Sequence, residues 1–124
     1  MESSTRRLAV AAGLDTAFVV AFVAIGRNNH DEDPGLAGLV ATAAPFLVGL
    51  ALGWLVSRAW VHPFALRTGL IVWLVTVAGG MIVRRLVGDG TAVSFVIVAT
   101  LFLGATLVGW RLVAAAIAAR RRAV

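Results

Sequence analysis

A single carboxylate inside a membrane-length apolar segment is the feature that most constrains this chain. The segment Leu8–Gly26 consists of apolar and small residues and is interrupted by Asp15. As an α-helix its nineteen residues extend about 28 Å, which matches a bilayer core of roughly 30 Å. An ionisable side chain is costly at that depth, so Asp15 is a candidate functional residue.

The composition places the whole chain among membrane proteins. Hydrophobic residues make up 60% of the 124 residues and charged residues 14%, whereas a soluble domain carries roughly 25% charged residues. The chain has no cysteine, which excludes disulfides and thiolate metal sites, and no cofactor or metal site is predicted. The net charge of +5 does not indicate nucleic-acid binding, because the arginines lie at the ends of apolar segments and not on one basic face.

Four apolar segments predict an all-α, polytopic membrane protein with one four-helix transmembrane bundle. The predicted spans are 8–26, 36–56, 67–83 and 91–110, followed by a helical extension over 111–122. No span shows the alternation of a strand, and four segments are too few for a closed barrel. The sequence therefore predicts a single transmembrane domain over residues 1–124.

The connecting segments and one proline refine this prediction. Pro45 lies near the middle of the second span and is expected to kink it. A tight turn is predicted at Gly88-Asp89-Gly90. The first span is interpreted as retained and not as a cleaved signal peptide, because the run is long, Asp15 interrupts it and no convincing A-x-A site follows.

The arginine distribution predicts that both termini are cytoplasmic and that the protein lies in the plasma membrane. Eight arginines fall on the side of the termini, namely Arg6, Arg7, Arg58, Arg67, Arg111, Arg120, Arg121 and Arg122. The opposite side has three, namely Arg27, Arg84 and Arg85. A bias this strong fixes one orientation, so any homo-oligomer should be parallel. Trp54, Trp60 and Trp110 map to the cytoplasmic interface, where their indoles are expected to reach the headgroups.

Small and polar residues recur at helical spacing on every span. The candidates for close helix packing are Pro45, Gly49, Gly53, Gly80 and Gly104. Gly49 and Gly53 form a small-xxx-small pattern, which favours contact either within the bundle or between copies. The alternative to packing is a polar cavity on the bundle axis, and Thr76 is a candidate substrate or ion contact in such a cavity.

Asp15 and Arg111 lie at similar depths in the first and last spans, which predicts that they pair, with Arg67 as an additional candidate partner. Two interpretations remain open. A buried ion pair would fix the register of the helices, whereas an isolated Asp15 would favour proton coupling or substrate binding.

A second set of candidates lies at the opposite end of the spans. An outward-facing anion site is one interpretation, since arginine binds phosphate and carboxylate in a bidentate way. Its arginines would be Arg27, Arg84 and Arg85, with further donors from Asn28, Asn29 and His30. The alternative is that these arginines neutralise nearby acidic residues and contact lipid phosphates. A metal site at His30 with Asp31 and Asp33 is a weak alternative, because it rests on one histidine.

Five segments resemble a known family. They are FVAIGRNNH at 22–30, AAPFLVG at 43–49, TVAGGMIVR at 76–84, SFVIVAT at 94–100 and GWR at 109–111. Together they resemble a family of small four-span prokaryotic membrane proteins catalogued only as a domain of unknown function. The resemblance covers most of residues 10–111, supports the topology and supplies no activity. It draws attention to Asp15, Arg27, His30, Pro45, Arg84 and Arg111.

A looser similarity links the chain to small multidrug transporters. Those proteins are also about this size, have four spans and carry one acidic residue in the first span. Their other signatures are absent here, and their weak charge bias contrasts with the strong bias of this chain. The similarity is therefore an analogy.

These observations favour a homo-oligomeric transporter or channel-like protein for a small solute or ion, since four short spans enclose little space. The alternative is a non-catalytic accessory or assembly subunit that binds a membrane protein partner. An enzyme is not expected, because the sequence contains no Ser/His/Asp arrangement, HExxH motif or phosphate loop.

Overall fold

The regular structure of the chain is helical throughout the part that the computed structural model describes, residues 2–29 and 35–123. The helices are α1 (Glu2–Asn29), α2 (Leu36–Ser57), α3 (Leu66–Leu86), α4 (Val93–Leu103) and α5 (Gly109–Ala123). A π-helical turn, Gly104–Val108, joins α4 to α5 without a break.

Four helical segments are long and apolar enough to cross a membrane, which confirms the prediction of a four-helix membrane bundle. They are Ser3–Arg27, Leu36–Ser57, Leu66–Leu86 and Val93–Ala123. The first helix begins at Glu2, six residues before the predicted span, because the polar segment ahead of the apolar run also adopts helical structure. Pro45 lies inside α2, which continues through it as one helix, and its bend remains a prediction.

Glycines bring α2 and α3 into close contact. A Cβ atom built on Gly49 would lie 2.7 Å from the Thr76 carbonyl oxygen and 2.9 Å from the Gly80 nitrogen. A Cβ atom on Gly53 would lie 3.1 Å from Cα of Val72. The two backbones can approach this closely only because these positions lack side chains. The small-xxx-small pattern therefore packs within the bundle.

An aromatic cluster fills the bundle toward the end that carries the α1–α2 and α3–α4 connections. Phe22 packs edge-on against Phe46, with ring centroids 5.5 Å apart. Phe95 and Phe102 lie 5.8 and 5.7 Å from Phe22. Phe46 also covers Gly80, where a Cβ atom would collide with its ring. Aromatic side chains therefore fill the core toward this end of the bundle.

The α2–α3 connection is held in a defined conformation at the end that carries the termini. Arg58 ends α2 in the left-handed region, with φ 52°, and its backbone N–H donates to the Leu55 carbonyl. The Thr68 hydroxyl donates to the His62 carbonyl at 2.7 Å, which ties the connection to the first turn of α3. At the other end of α3, Gly88 adopts φ +90° in the predicted tight turn.

Candidate functional site

Asp15 and Arg111 form a bidentate ion pair between α1 and α5. Nη1 of Arg111 donates to Oδ1 of Asp15 at 3.0 Å, and Nη2 donates to Oδ2 at 2.9 Å. Asp15 is 0% exposed and Arg111 is 1% exposed. The predicted pairing is therefore confirmed. Arg67 takes no part in it, because its side chain is exposed and donates no hydrogen bond to Asp15.

Two indoles complete the surroundings of the Asp15 carboxylate. The indole N–H of Trp54 on α2 donates to Oδ2 at 2.9 Å, and that of Trp110 on α5 donates to Oδ1 at 2.8 Å. Each carboxylate oxygen thus accepts two hydrogen bonds. Four donors around a buried carboxylate compensate for the water that it has lost.

Arg111 also binds backbone carbonyls with two more of its N–H groups. Its Nε donates to the Pro63 carbonyl at 2.8 Å, and its Nη1 donates to the Leu107 carbonyl at 3.0 Å. A Cβ atom on Gly69 would lie 2.7 Å from Cδ of Arg111, so α3 provides space for this side chain by lacking one of its own. The guanidinium therefore links α1, α5 and the α2–α3 connection. We call the four residues around the ion pair the charge cluster, namely Asp15, Arg111, Trp54 and Trp110.

The π-helical turn explains how Arg111 comes to face Asp15. Four residues of the last span are spaced four apart and are all buried, namely Ala99, Leu103, Leu107 and Arg111. Over the twelve residues from Ala99 to Arg111, an ideal α-helix would rotate Arg111 about 120° away from the face of Ala99. The π turn accommodates one extra residue and removes about 100° of that rotation. Arg111 therefore points into the bundle.

The structure corrects the predicted role of two tryptophans. Trp54 and Trp110 were expected to reach the headgroups at the interface. Their indole N–H groups instead point inward to Asp15, because a buried carboxylate is the stronger acceptor. Trp60, by contrast, is 45% exposed. Trp73 also points inward, donating to the Thr100 carbonyl at 2.9 Å, and its ring lies where a Cβ atom of Gly104 would be.

The candidates at the opposite end lie apart from the charge cluster. Arg27 donates to the Thr42 hydroxyl at 2.7 Å. Arg84 donates from Nε to the Gly90 carbonyl at 2.8 Å and stacks over the Phe95 ring at 4.4 Å. His30 lies outside the described residues, so the predicted anion site of Arg27, Arg84 and Arg85 with His30 stays a prediction.

Thr76 lies in the α2–α3 interface, beside Gly49 and Gly53. Its hydroxyl is buried and has no hydrogen-bond partner in the described structure. A Cβ atom on Gly53 would come within 3.6 Å of this hydroxyl. Its surroundings are those of a packing position, and its predicted role as a substrate or ion contact stays a prediction.

No group of three histidine or acidic residues within 2–29 and 35–123 is arranged to hold a metal ion. Sequence reasoning missed the two indoles that donate to Asp15, those of Trp54 and Trp110, and the Pro63 carbonyl that accepts from Arg111. The position of Trp110 directly beside Arg111 was the available signal, since neighbouring residues on a helix can reach one carboxylate from two directions.

Comparison with known proteins gives one result that covers most of the chain. The model of a family described as "Protein of unknown function (DUF3054)" matches residues 12–114. This range contains every member of the charge cluster. No curated protein and no solved structure matches the chain.

Proposed function

Because the chain belongs to DUF3054, a family described as being of unknown function, we propose its function from the geometry of the bundle. The protein is a non-catalytic accessory or assembly subunit of a larger membrane complex. The observation that supports this role is the hydrogen bonding of the Asp15 carboxylate, whose two oxygens accept four hydrogen bonds from protein donors.

The charge cluster favours a fixed scaffold over a coupling site. A carboxylate that carried protons or cations would have to release Arg111 and both indoles in each cycle. The observed bonds instead hold α1, α2, α5 and the α2–α3 connection in one arrangement. A bundle locked in this way presents a constant outer surface, which is what binding to a membrane partner requires.

Transport by a homo-oligomer is the second candidate, and the position of Trp110 favours it. The Trp110 side chain lines a groove on the outside of the bundle, while its N–H contacts Asp15. Movement of this one side chain would therefore open a route from the groove to the carboxylate.

The composition of the native complex discriminates between these roles. We expect protein extracted in mild detergent from its own membranes, at its native level, to have a defined mass that includes a different membrane protein in fixed stoichiometry. Recovery of a defined homo-oligomer alone would contradict the accessory role and favour transport.

Flux measurements give an independent test. In liposomes with an imposed pH gradient, we expect the wild type and Asp15→Asn to dissipate the gradient at the rate of protein-free liposomes. The control is Asp89→Asn, which changes an exposed carboxylate in the α3–α4 connection. A flux that is present in the wild type and in Asp89→Asn but lost in Asp15→Asn would overturn the proposal.

The proposed orientation, with both termini cytoplasmic, has its own test. The chain lacks cysteine, so single cysteines can be placed at Ser3, Asn29, His62 and Asp89 without a background. In sealed cells an impermeant thiol reagent should label only positions 29 and 89, because the arginine-rich side stays inside. Labelling at position 3 would contradict this topology.

A further inference from the structure

A groove with a basic rim opens between α5 and the α2–α3 connection, with Arg7 of α1 at its edge, at the end that carries the termini. Its volume is about 650 Å³, and its walls include Arg7 of α1, Phe64 of the α2–α3 connection and Ala118 and Arg121 of α5. Phe64 packs edge-on against Trp110, with ring centroids 5.0 Å apart. Phe64, which lines the groove, is thus held against α5 by this ring contact.

A second groove, of about 540 Å³, continues from the first along the outside of the bundle. The two share Phe64, Ala114 and Ile117 in their linings. The walls of the second groove are almost entirely apolar and include Leu14 and Phe18 of α1. We call the two together the α1–α5 groove, which has one basic end and one apolar end.

Small residues on the last span keep this groove open. Ala105 and Gly109 line its apolar part, and Ala114 and Ala118 follow toward the basic rim. A Cβ atom built on Gly109 would meet no atom within 4 Å, so the space above it is empty of protein. A larger side chain at this position would project into the groove.

The rim carries positive charge. Arg7, Arg121 and Arg122 line it, and no acidic side chain of the described residues lines either part of the groove. The Arg7 guanidinium stacks over the Phe64 ring at 4.1 Å, which positions it at the rim. Stacking uses the face of the guanidinium and leaves its N–H donors directed outward.

The length of the groove matches one leaflet of a bilayer. From Ala105 to Arg121 the helix rises about 24 Å. Half of a bilayer, from headgroups to midplane, is about 20–22 Å. The arginines therefore lie at headgroup level when the apolar end lies near the midplane.

We propose that the α1–α5 groove binds one anionic phospholipid. Its phosphodiester is held by Arg7, Arg121 and Arg122, since guanidinium groups bind phosphate oxygens through paired, charge-assisted hydrogen bonds. One acyl chain lies along the apolar part, over Gly109 and the Trp110 ring. Basic pockets beside transmembrane helices are suited to anionic headgroups in this way.

The headgroup contact is tested by titrating purified protein in a neutral detergent with dioleoyl phosphatidylglycerol or dioleoyl phosphatidylcholine. Bound lipid is counted by native mass spectrometry. We expect one phosphatidylglycerol to bind and to raise Tm, and phosphatidylcholine to bind at least about tenfold more weakly. The triple variant Arg7→Gln/Arg121→Gln/Arg122→Gln should lose this preference. Arg120→Gln is the control for loss of one basic charge outside the groove, because Arg120 lies on the same helix outside the lining.

The acyl-chain contact is tested with Gly109→Leu, which fills the groove and leaves the arginines in place. Binding of phosphatidylglycerol should fall at least about tenfold. Gly13→Leu is the control, since a Cβ atom there also meets no atom within 4 Å and Gly13 lines neither part of the groove. Equal affinity for both lipids, equal losses in the triple variant and in Arg120→Gln, or unchanged binding in Gly109→Leu would overturn the proposal. So would a dimer that Gly109→Leu abolishes and phosphatidylglycerol does not affect, because the groove would then hold a second copy.

Discussion

Replacing either member of the Asp15–Arg111 pair should cost about 3–5 kcal/mol of stability, as it does for buried ion pairs generally. Asp15→Asn leaves the Arg111 guanidinium charged and buried without its counterion. Arg111→Gln leaves the carboxylate with the two indole donors alone. The double variant removes both charges and should cost less than the sum of the single changes. Unfolding of the detergent-solubilised protein, followed by far-UV circular dichroism during a denaturant titration, measures each cost.

The double-mutant comparison separates the pair from its surroundings. Arg67→Gln and Asp89→Asn are matched controls of the same chemistry at exposed positions and should leave stability unchanged. Costs that simply add in the double variant, together with a well-folded Asp15→Asn, would contradict the structural role of the pair. Proton coupling at Asp15 would then be the better interpretation of this residue.

The second large effect is expected at Gly49. In Gly49→Ala the new Cβ atom would lie 2.7 Å from the Thr76 carbonyl oxygen and 2.9 Å from the Gly80 nitrogen. Both are backbone atoms, so no change of rotamer relieves the contact and α2 must move away from α3. We expect a loss of about 3 kcal/mol for Gly49→Ala and a larger loss for Gly49→Ile, measured by the same denaturant titration.

A glycine in open space provides the control for this effect. A Cβ atom on Gly26 meets nothing within 4 Å, so Gly26→Ala should leave stability unchanged or raise it by the helix preference of alanine, about 0.5–1 kcal/mol. A Gly49→Ile variant as stable as the wild type would contradict the close contact of the α2 and α3 backbones at this position.

Hydropathy and helix geometry predict the bundle and its ion pair, because span length and residue depth both depend on distance along the helix axis. Apolar segments of membrane length define the four spans. The rise per residue places Asp15 and Arg111 at similar depths. Arg67 was not distinguishable from Arg111 on depth alone, and only packing shows that its side chain is exposed. Depth is therefore predictable from sequence, whereas direction around the helix depends on tertiary contacts.

The remaining parts of the charge cluster depend on such contacts. A tryptophan near a membrane interface has the same sequence signature whether its indole points to headgroups or inward, as Trp54 and Trp110 do. The Pro63 carbonyl is a backbone acceptor, and no residue type marks it. The π turn is a change of helical register that follows from the burial of every fourth residue in the last span.

The separation of Asp15 from Arg111 has a consequence for biosynthesis. Their 96-residue spacing means that the first helix emerges from the ribosome long before its counterion is synthesised. At 5–20 residues per second the delay is about 5–20 s. During that time the membrane-insertion machinery handles a helix with an uncompensated carboxylate, which costs about 2.5–3.5 kcal/mol at the centre of a membrane helix. We therefore expect the first helix to gain part of its stability only when the last helix is complete, so a chain truncated before Arg111 should be less stable in the membrane than the full chain.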